Sequence, residues 1–390
     1  MLRPLLIGLV ATLLAVAGFG PGALDMLALD APVQQARSES STQTSPLSWP
    51  QPPAQGTPAL PGTTDHPLPP ATTGAPQVPA LLPANARSGI QGAWLRPDRR
   101  PAAEVLTPLK EAGYTDIFVE SFYHGMTIYP SKVAPQRPEF SGTDKLNEYR
   151  EAAASLGLRL HAWIEVLYWA PPVRYRSDSG LLALHPEWET RDASGADSTW
   201  GKLGMGFVDP SIYGVRQTVY ALSRELAQNY SRLGLHLDYL RYPAGGEYGY
   251  HPAAARAFSQ LTGRLPSRLD PRWYAYRQDL LTQVANGMSK AYREAGGEGL
   301  VTAAVNPNYP FYKVETLQIW PRWTGVDVFV PMAYSQSTTY LHVLSRYVRA
   351  RSPRPVWMGL LVGEGYPSLQ TQVAALKREG YSNFVVFGLR

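Results

Sequence analysis

The sequence predicts an α/β fold, a (β/α)8 barrel, on three observations. Eight short apolar runs rich in Val, Ile, Phe and Trp recur after residue 88, most of them separated by stretches with helical period. Strands alternating with helices imply parallel pairing through right-handed crossovers, and eight such units in roughly 300 residues fit a closed barrel better than an open sheet. No glycine-rich phosphate fingerprint follows the first run, which argues against a dinucleotide-binding sheet.

In chain order, residues 1–17 read as an export signal, either cleaved or kept as an N-terminal anchor associated with a membrane. Arg3 precedes an apolar stretch from Leu5 to Ala17, and Ala15 and Ala17 have the small-residue spacing that signal peptidase uses. Residues 18–87 are dense in Pro, Ser, Thr, Gln, Gly and Ala and show neither helical nor strand period. Such a segment buries too little apolar surface to offset its conformational entropy and is expected to be a disordered linker. The barrel is expected over 88–390, with strands at 90–95, 116–121, 159–166, 234–240, 300–305, 326–333, 356–362 and 383–389. Asp144 caps a helix in which Leu146, Tyr149 and Leu156 share a face and Gly157 marks the exit. Val215, Val219, Leu222, Leu226 and Tyr230 mark another helix, and Leu369, Val373 and Leu376 before Gly380 mark the last. The eighth run is followed only by Arg390, so the usual last helix is missing from the pattern and another element is expected to cover that side. The connections 167–210 and 242–272 are long and should stand over the catalytic face of a barrel.

Composition removes several classes of function. With no cysteine in 390 residues there is no disulfide scaffold, thiolate metal site, catalytic thiol or lipid-bearing cysteine. A net charge of +5 with 17% charged residues is mild for this size and argues against nucleic acid as a partner. The seven histidines show no HExxH-like spacing, and no Gly-x-Ser-x-Gly elbow occurs; neither a metal nor another cofactor is expected. The excess is aromatic, 23 Tyr and 10 Trp, polar-tipped rings that suit carbohydrate faces as well as cores.

Active sites of such barrels lie at the C-terminal ends of the strands, so an acid ending an apolar run is informative. The second run ends in Glu120, the third reads LHAWIEV with Glu165, and the fourth reads LHLDYLRYP with Asp238. Strand alternation puts His161, Trp163 and Glu165 on one face and His236 and Asp238 on the matching face of the next strand. Carboxyls on neighbouring strands about 4.8 Å apart come within the range that cleaves glycosidic bonds, roughly 5 to 9 Å. Asp238 is assigned an essential role and Glu165 the acid/base role, with Glu120 competing for either. The alternative for each is an ion pair with Arg241 or Arg96. His161 and His236 are expected lower in the barrel as hydrogen-bonded core residues.

Trp94 and Trp163 near strand ends, with Trp169, Trp188 and Trp200 in the long loop, are candidate sugar platforms; the alternative for each is core packing. Arg241 and Tyr242 follow the fourth strand into the mouth, Asn306 follows the fifth, and Tyr334 closes the sixth.

Blocks GAWLRP, YPSKVAP, HAW, HPEW, FVDPS, GLHLDYLRYP, RWYAYRQDLL and DVFVPMAYS, in this order, resemble the bacterial glycosyl-hydrolase-like 10 group of secreted glycosidases over nearly all of residues 89–389. The resemblance implies a barrel hydrolysing O-glycosidic bonds of an envelope polysaccharide, with peptidoglycan strands a plausible substrate. It carries Asp238 as the acid of the fourth-strand motif and points to Trp163, Asp209, Arg277 and Tyr334 as site or supporting positions. Glu165 stands where many relatives have Asn, and Tyr239 where they have a second Asp. The fourth-strand motif is also similar to that of chitinase-type enzymes, which keeps a substrate-assisted mechanism on N-acetyl sugars open, although Arg241 occupies the position of their glutamate. A glycan-binding barrel without catalysis, and a structural envelope protein that contacts partners through residues 18–87, are the remaining alternatives. The expected partner is a polysaccharide or oligosaccharide, and the protein is expected to be an exported monomer of the periplasm, envelope or exterior.

Overall fold

A computed structural model of the chain describes Gly89 and residues 91–172, 179–308 and 311–389. The expected export segment 1–17 and linker 18–87 lie outside the described residues, as does Ile90 at the start of the first expected strand. The elements run β1 (Gln91–Leu95), α1 (Ala102–Glu111), β2 (Asp116–Tyr123), β3 (Met126–Thr127), α2 (Lys145–Ser155), β4 (Arg159–Glu165), β5 (Tyr168–Ala170), α3 (Leu181–Leu184), β6 (Gly206–Phe207), α4 (Tyr213–Asn229) and β7 (Gly234–Asp238). They continue with α5 (Pro252–Thr262), α6 (Pro271–Glu294), β8 (Val301–Val305), β9 (Val328–Pro331), α7 (Thr338–Arg349), β10 (Met358–Leu361), α8 (Leu369–Arg378) and β11 (Phe384–Phe387).

Parallel pairing runs β10, β11, β1, β2, β4, β7, β8, β9. Two isolated parallel bridges, Phe329 to Val356 and Met332 to Gly359, join β9 to β10 and bring the ring nearly to closure. Each expected strand is present; the second runs on to Tyr123, and the others are shorter by one to four residues where the ladder ends. The N-cap at Asp144 forms as the sequence requires: its Oδ1 accepts from the Asn147 amide at 2.8 Å, and Gly157 leaves the helix with φ +63°. Among the described residues no helix follows β11, and no helix is long and apolar enough to cross a membrane.

Alternation sorts the strand residues onto two surfaces. Ala93, Ile117, Val119, Leu160, Ala162, Ile164, Leu235 and Leu237 pack outward with Leu222, Leu226 and Leu281 of the helices. Trp94, Phe118, Trp163, Ala304, Val328, Val330, Trp357 and Val385, drawn from around the ring, fill the interior. Three glycines make room for those rings: a Cβ at Gly92 would stand 3.0 Å from Phe118, one at Gly359 would stand 2.9 Å from Trp94, and one at Gly234 would lie 2.2 Å from His161 Nδ1.

Both barrel histidines are core residues, as the sequence predicts. The Trp94 indole N–H donates to His236 Nε2 at 3.0 Å, so His236 Nδ1 carries the proton that meets Thr302 Oγ1 at 2.8 Å. Burial keeps this imidazole neutral, holding its pKa well below the ordinary value. At the N-terminal end of the barrel, Asp116 contacts His161 Nε2 at 3.0 Å and Arg159 at 2.8 and 2.6 Å. Burial pushes the Asp116 carboxyl up, but the hydrogen bonds from His161 and Arg159 outweigh it and hold the pKa at about 2. A depressed carboxylate contributes stability that is complete above its unfolded pKa, near 4, and lost as pH falls through the folded value. Lowering pH from about 4 to about 2 should therefore remove roughly 2 kcal/mol of unfolding free energy; Asp116→Asn should flatten that part of the acid unfolding curve, measured by denaturant titration across the range.

Candidate active site

The register of β4 and β7 decides what meets at the mouth. Glu165 and Asp238 are paired positions, and Trp163 pairs with Glu120 on one side and His236 on the other. Parallel neighbours lie about 4.8 Å apart, so the two acids stand side by side at the C-terminal ends of adjacent strands, on the interior face.

Asp238 is fixed from two directions. The Trp163 indole N–H donates to its Oδ2 at 3.1 Å, and the amide of Tyr239 donates to Oδ1 at 2.6 Å. The second bond exists because Tyr239 adopts a left-handed φ of +49°, a conformation that costs a non-glycine residue about 1 kcal/mol or more. Burial raises the Asp238 pKa above the ordinary value, opposed by the Arg241 charge, the two N–H donors and Arg96. Asp238 thus holds its proton to higher pH than an exposed aspartate. Tyr334 is half-buried beside it; burial, then the charge of Asp238, raise the phenol pKa well above the ordinary value and keep the hydroxyl a donor.

Glu165 is fully enclosed at 0% exposure, whereas Asp238 retains 6%. The cover over Glu165 is the turn between β2 and β3, where the His124 amide donates to Glu165 Oε2 at 3.1 Å and the imidazole Nε2 stands 4.0 Å from the same oxygen. Glu120 is 1% exposed and lies 3.3 Å from Arg96 Nε, so the ion-pair alternative holds for this acid. Arg241 is buried with its guanidinium 4.9 Å from the Tyr239 ring, and among the described residues nothing accepts from its Nε.

The other expected site residues divide into four places. Trp94 sits within the barrel on His236. Asn306 is buried at the end of β8, its side-chain amide 3.3 Å from Thr316 Oγ1 and its backbone amide bound to Gln318. Asp209 and Arg277 both lie near Tyr242, whose phenol pKa burial and then the Asp209 charge raise well above the ordinary value against the Arg277 charge. Asp209 accepts from Thr190 Oγ1 and the Ser211 amide, while Tyr242 is buried with its hydroxyl lacking a partner among the described residues. Arg277 is wholly buried and donates to the Tyr248 carbonyl at 2.5 Å and Glu247 at 3.2 Å, which ties the connection after β7 to α6. Trp169 is 1% exposed, its indole N–H on the Val166 carbonyl, and Trp188 stacks on His185 at 3.9 Å. Core packing, the alternative raised for each tryptophan, describes Trp94, Trp163 and Trp169, which are too enclosed to serve as open sugar platforms. No group of three or more His, Asp or Glu suited to hold a metal occurs among the described residues.

Two contributors escaped sequence reasoning. Tyr239 reads as an outward strand residue by alternation, because nothing in the pattern shows that the strand ends at Asp238. His124 lies in a connection whose only signal is the His-Gly pair, which marks a turn with positive φ at both residues, here +51° and +73°.

The Glycosyl hydrolase-like 10 family matches the sequence over residues 89–375. The chain belongs to this family. A search of curated protein sequences gave no significant match. Among solved structures, the barrel of this glycosyl hydrolase-like 10 protein is similar to the PgaB (BpsB) glycoside hydrolase domain from Bordetella bronchiseptica, with TM-score 0.59 and 14% identity over 77% of this chain and 94% of that one. It is similar also to α-L-fucosidase isoenzyme 2 from Paenibacillus thiaminolyticus, with TM-score 0.55 and 15% identity over 77% of this chain and 46% of that one. A β-galactosidase from Bacillus circulans sp. alkalophilus gives TM-score 0.55 and 13% identity over 77% and 50%. The chain thus spans about half the length of the last two proteins. At these identities the likeness establishes the fold, a barrel that glycoside hydrolases use.

Trp163→Phe keeps the ring but deletes the donor to Asp238 Oδ2, removing a hydrogen bond that favours the carboxylate. Asp238 should then titrate at still higher pH, read by infrared difference spectra against the same variant carrying Asp238→Asn.

Proposed function

We propose that the protein is a glycoside hydrolase, exported behind residues 1–17 and extended from the envelope by residues 18–87, that cleaves O-glycosidic bonds of an envelope polysaccharide, with peptidoglycan glycan strands as the substrate. The observation that carries the reading is Asp238: a carboxyl at the barrel mouth that keeps 6% exposure, held by Trp163 and Tyr239, with its pKa raised by burial and Glu165 next to it in register. Family membership and the barrel's likeness to glycoside hydrolases support it.

A carboxyl that keeps its proton is suited to give it to the leaving glycosidic oxygen as the anomeric C–O bond breaks. The sequence gives proton transfer to Glu165, but exposure favours Asp238, because Glu165 lies beneath the His124 turn and Asp238 does not. Glu165 then supplies the second charge, receiving the proton of the attacking water or stabilising the developing oxocarbenium. Glu120 is left to position Arg96.

A second reading rests on the enclosure of Glu165. If that side chain never meets the sugar, the carbonyl oxygen of the substrate's own N-acetyl group takes the place of the second carboxylate, bonding to the anomeric carbon as the protonated glycosidic oxygen leaves, with water then opening the ring so formed.

Asp238→Asn should lower turnover of peptide-free glycan strands by about 10³-fold or more, assayed as reducing ends released; an unchanged rate removes Asp238 from the chemistry. Glu165→Gln separates the two mechanisms: a loss of about 10²-fold or more supports the carboxylate pair, while near-normal activity confined to N-acetyl sugars supports substrate assistance.

A further inference from the structure

We propose that Trp200 is a glycan-stacking platform on the rim of the barrel mouth, a binding subsite for a further ring of a polymeric substrate. The proposal rests on the carbohydrate reading above and adds to it where the chain of sugars runs. Trp200 is 79% exposed, unlike Trp169, which is enclosed, and Trp188, which is covered by His185 on one side and lies 2.6 Å from the Cβ position of Gly214. The Trp200 indole is thus open to a ligand from solvent.

The segment that carries this ring is fixed from beneath. The buried carboxylate of Glu189 accepts from Ser198 Oγ at 2.8 Å and from the Thr199 amide at 2.6 Å, and Ser198 Oγ in turn receives the Phe207 amide at 2.8 Å. Trp200 and Gly201 close the 3₁₀ turn through bonds to the Asp197 and Ser198 carbonyls, both at 3.0 Å. Gly201 then passes so close to Tyr248 that a Cβ there would lie 2.0 Å from the phenol oxygen. Tyr248 fills the space beside Gly201, while the Trp200 indole stands in solvent.

Position selects the occupant. Trp200 lies on the connection that leaves β4 beyond Glu165, and Tyr248 lies on the connection that leaves β7 beyond Asp238, so the turn bridges the two strands that bear the acids. A flat indole on a rigid base presents an electron-rich face to the C–H bonds of a pyranose ring, and immobilising it costs little further entropy on binding.

The test measures binding of the intact chain carrying Asp238→Asn to insoluble, peptide-free peptidoglycan strands by depletion from solution. Adding Trp200→Ala should weaken binding by about tenfold, and Trp200→Tyr should recover most of it. Thermal unfolding should be unchanged in both, since the site is exposed. Equal binding by the alanine variant and its parent overturns the platform, as does loss that tyrosine fails to recover. Continued cleavage by Asp238→Asn overturns the catalytic assignment instead and leaves the Trp200 comparison standing.

Discussion

The hydrogen bond from the Trp163 indole to Asp238 is the contact on which the rest of the site depends. It spans two strands, so it exists only while β4 and β7 keep the register that pairs Trp163 with His236 and Glu165 with Asp238. A one-residue slip of either strand would turn its own acid outward onto the helices and bring Ile164 or Leu237 into the mouth. The outward apolar faces prevent that slip, because Leu160, Ala162, Ile164, Leu235 and Leu237 are already buried against the helical layer. Hydrophobic burial outside the barrel thus fixes the chemistry inside it.

The same interior makes the carboxyl chemically unusual. Packed rings from Trp94, Phe118, Trp163 and Trp357 fill the barrel interior, and the loss of hydration raises the Asp238 pKa despite two N–H donors and a neighbouring arginine. Deeper in the barrel the balance reverses. Asp116 is buried as well, yet direct bonds from His161 and Arg159 lower its pKa. One end of the barrel therefore uses its carboxylate for cohesion, while the other keeps a carboxyl ready to exchange a proton. A stability–function division of this kind is common to barrels whose sites sit at the C-terminal face.

Strand positions, the Asp144 cap and the inward acids were legible because periodicity and capping are local signals: the buried faces of β4 and β7 follow from alternation alone. Contacts between distant segments were not. That Arg277 belongs to the Tyr248 carbonyl, that the His124 turn covers Glu165, and that Trp169 lies in the core all depend on where long connections settle. The aromatic content pointed to carbohydrate, but composition could not tell which tryptophan faces water. Tyr239 shows the finer limit: a single residue leaving the extended conformation ends the strand and supplies a donor, and no side-chain pattern announces it.

The central claim is that Asp238 meets the glycosidic oxygen. The crystal structure of the Asp238→Asn protein soaked with a glycan-strand oligosaccharide tests it most directly. The account predicts a sugar linkage across the ends of β4 and β7, its bridging oxygen about 3 Å from the side chain at 238. A sugar seated elsewhere on the barrel, or one whose linkage lies beyond reach of that side chain, would contradict it.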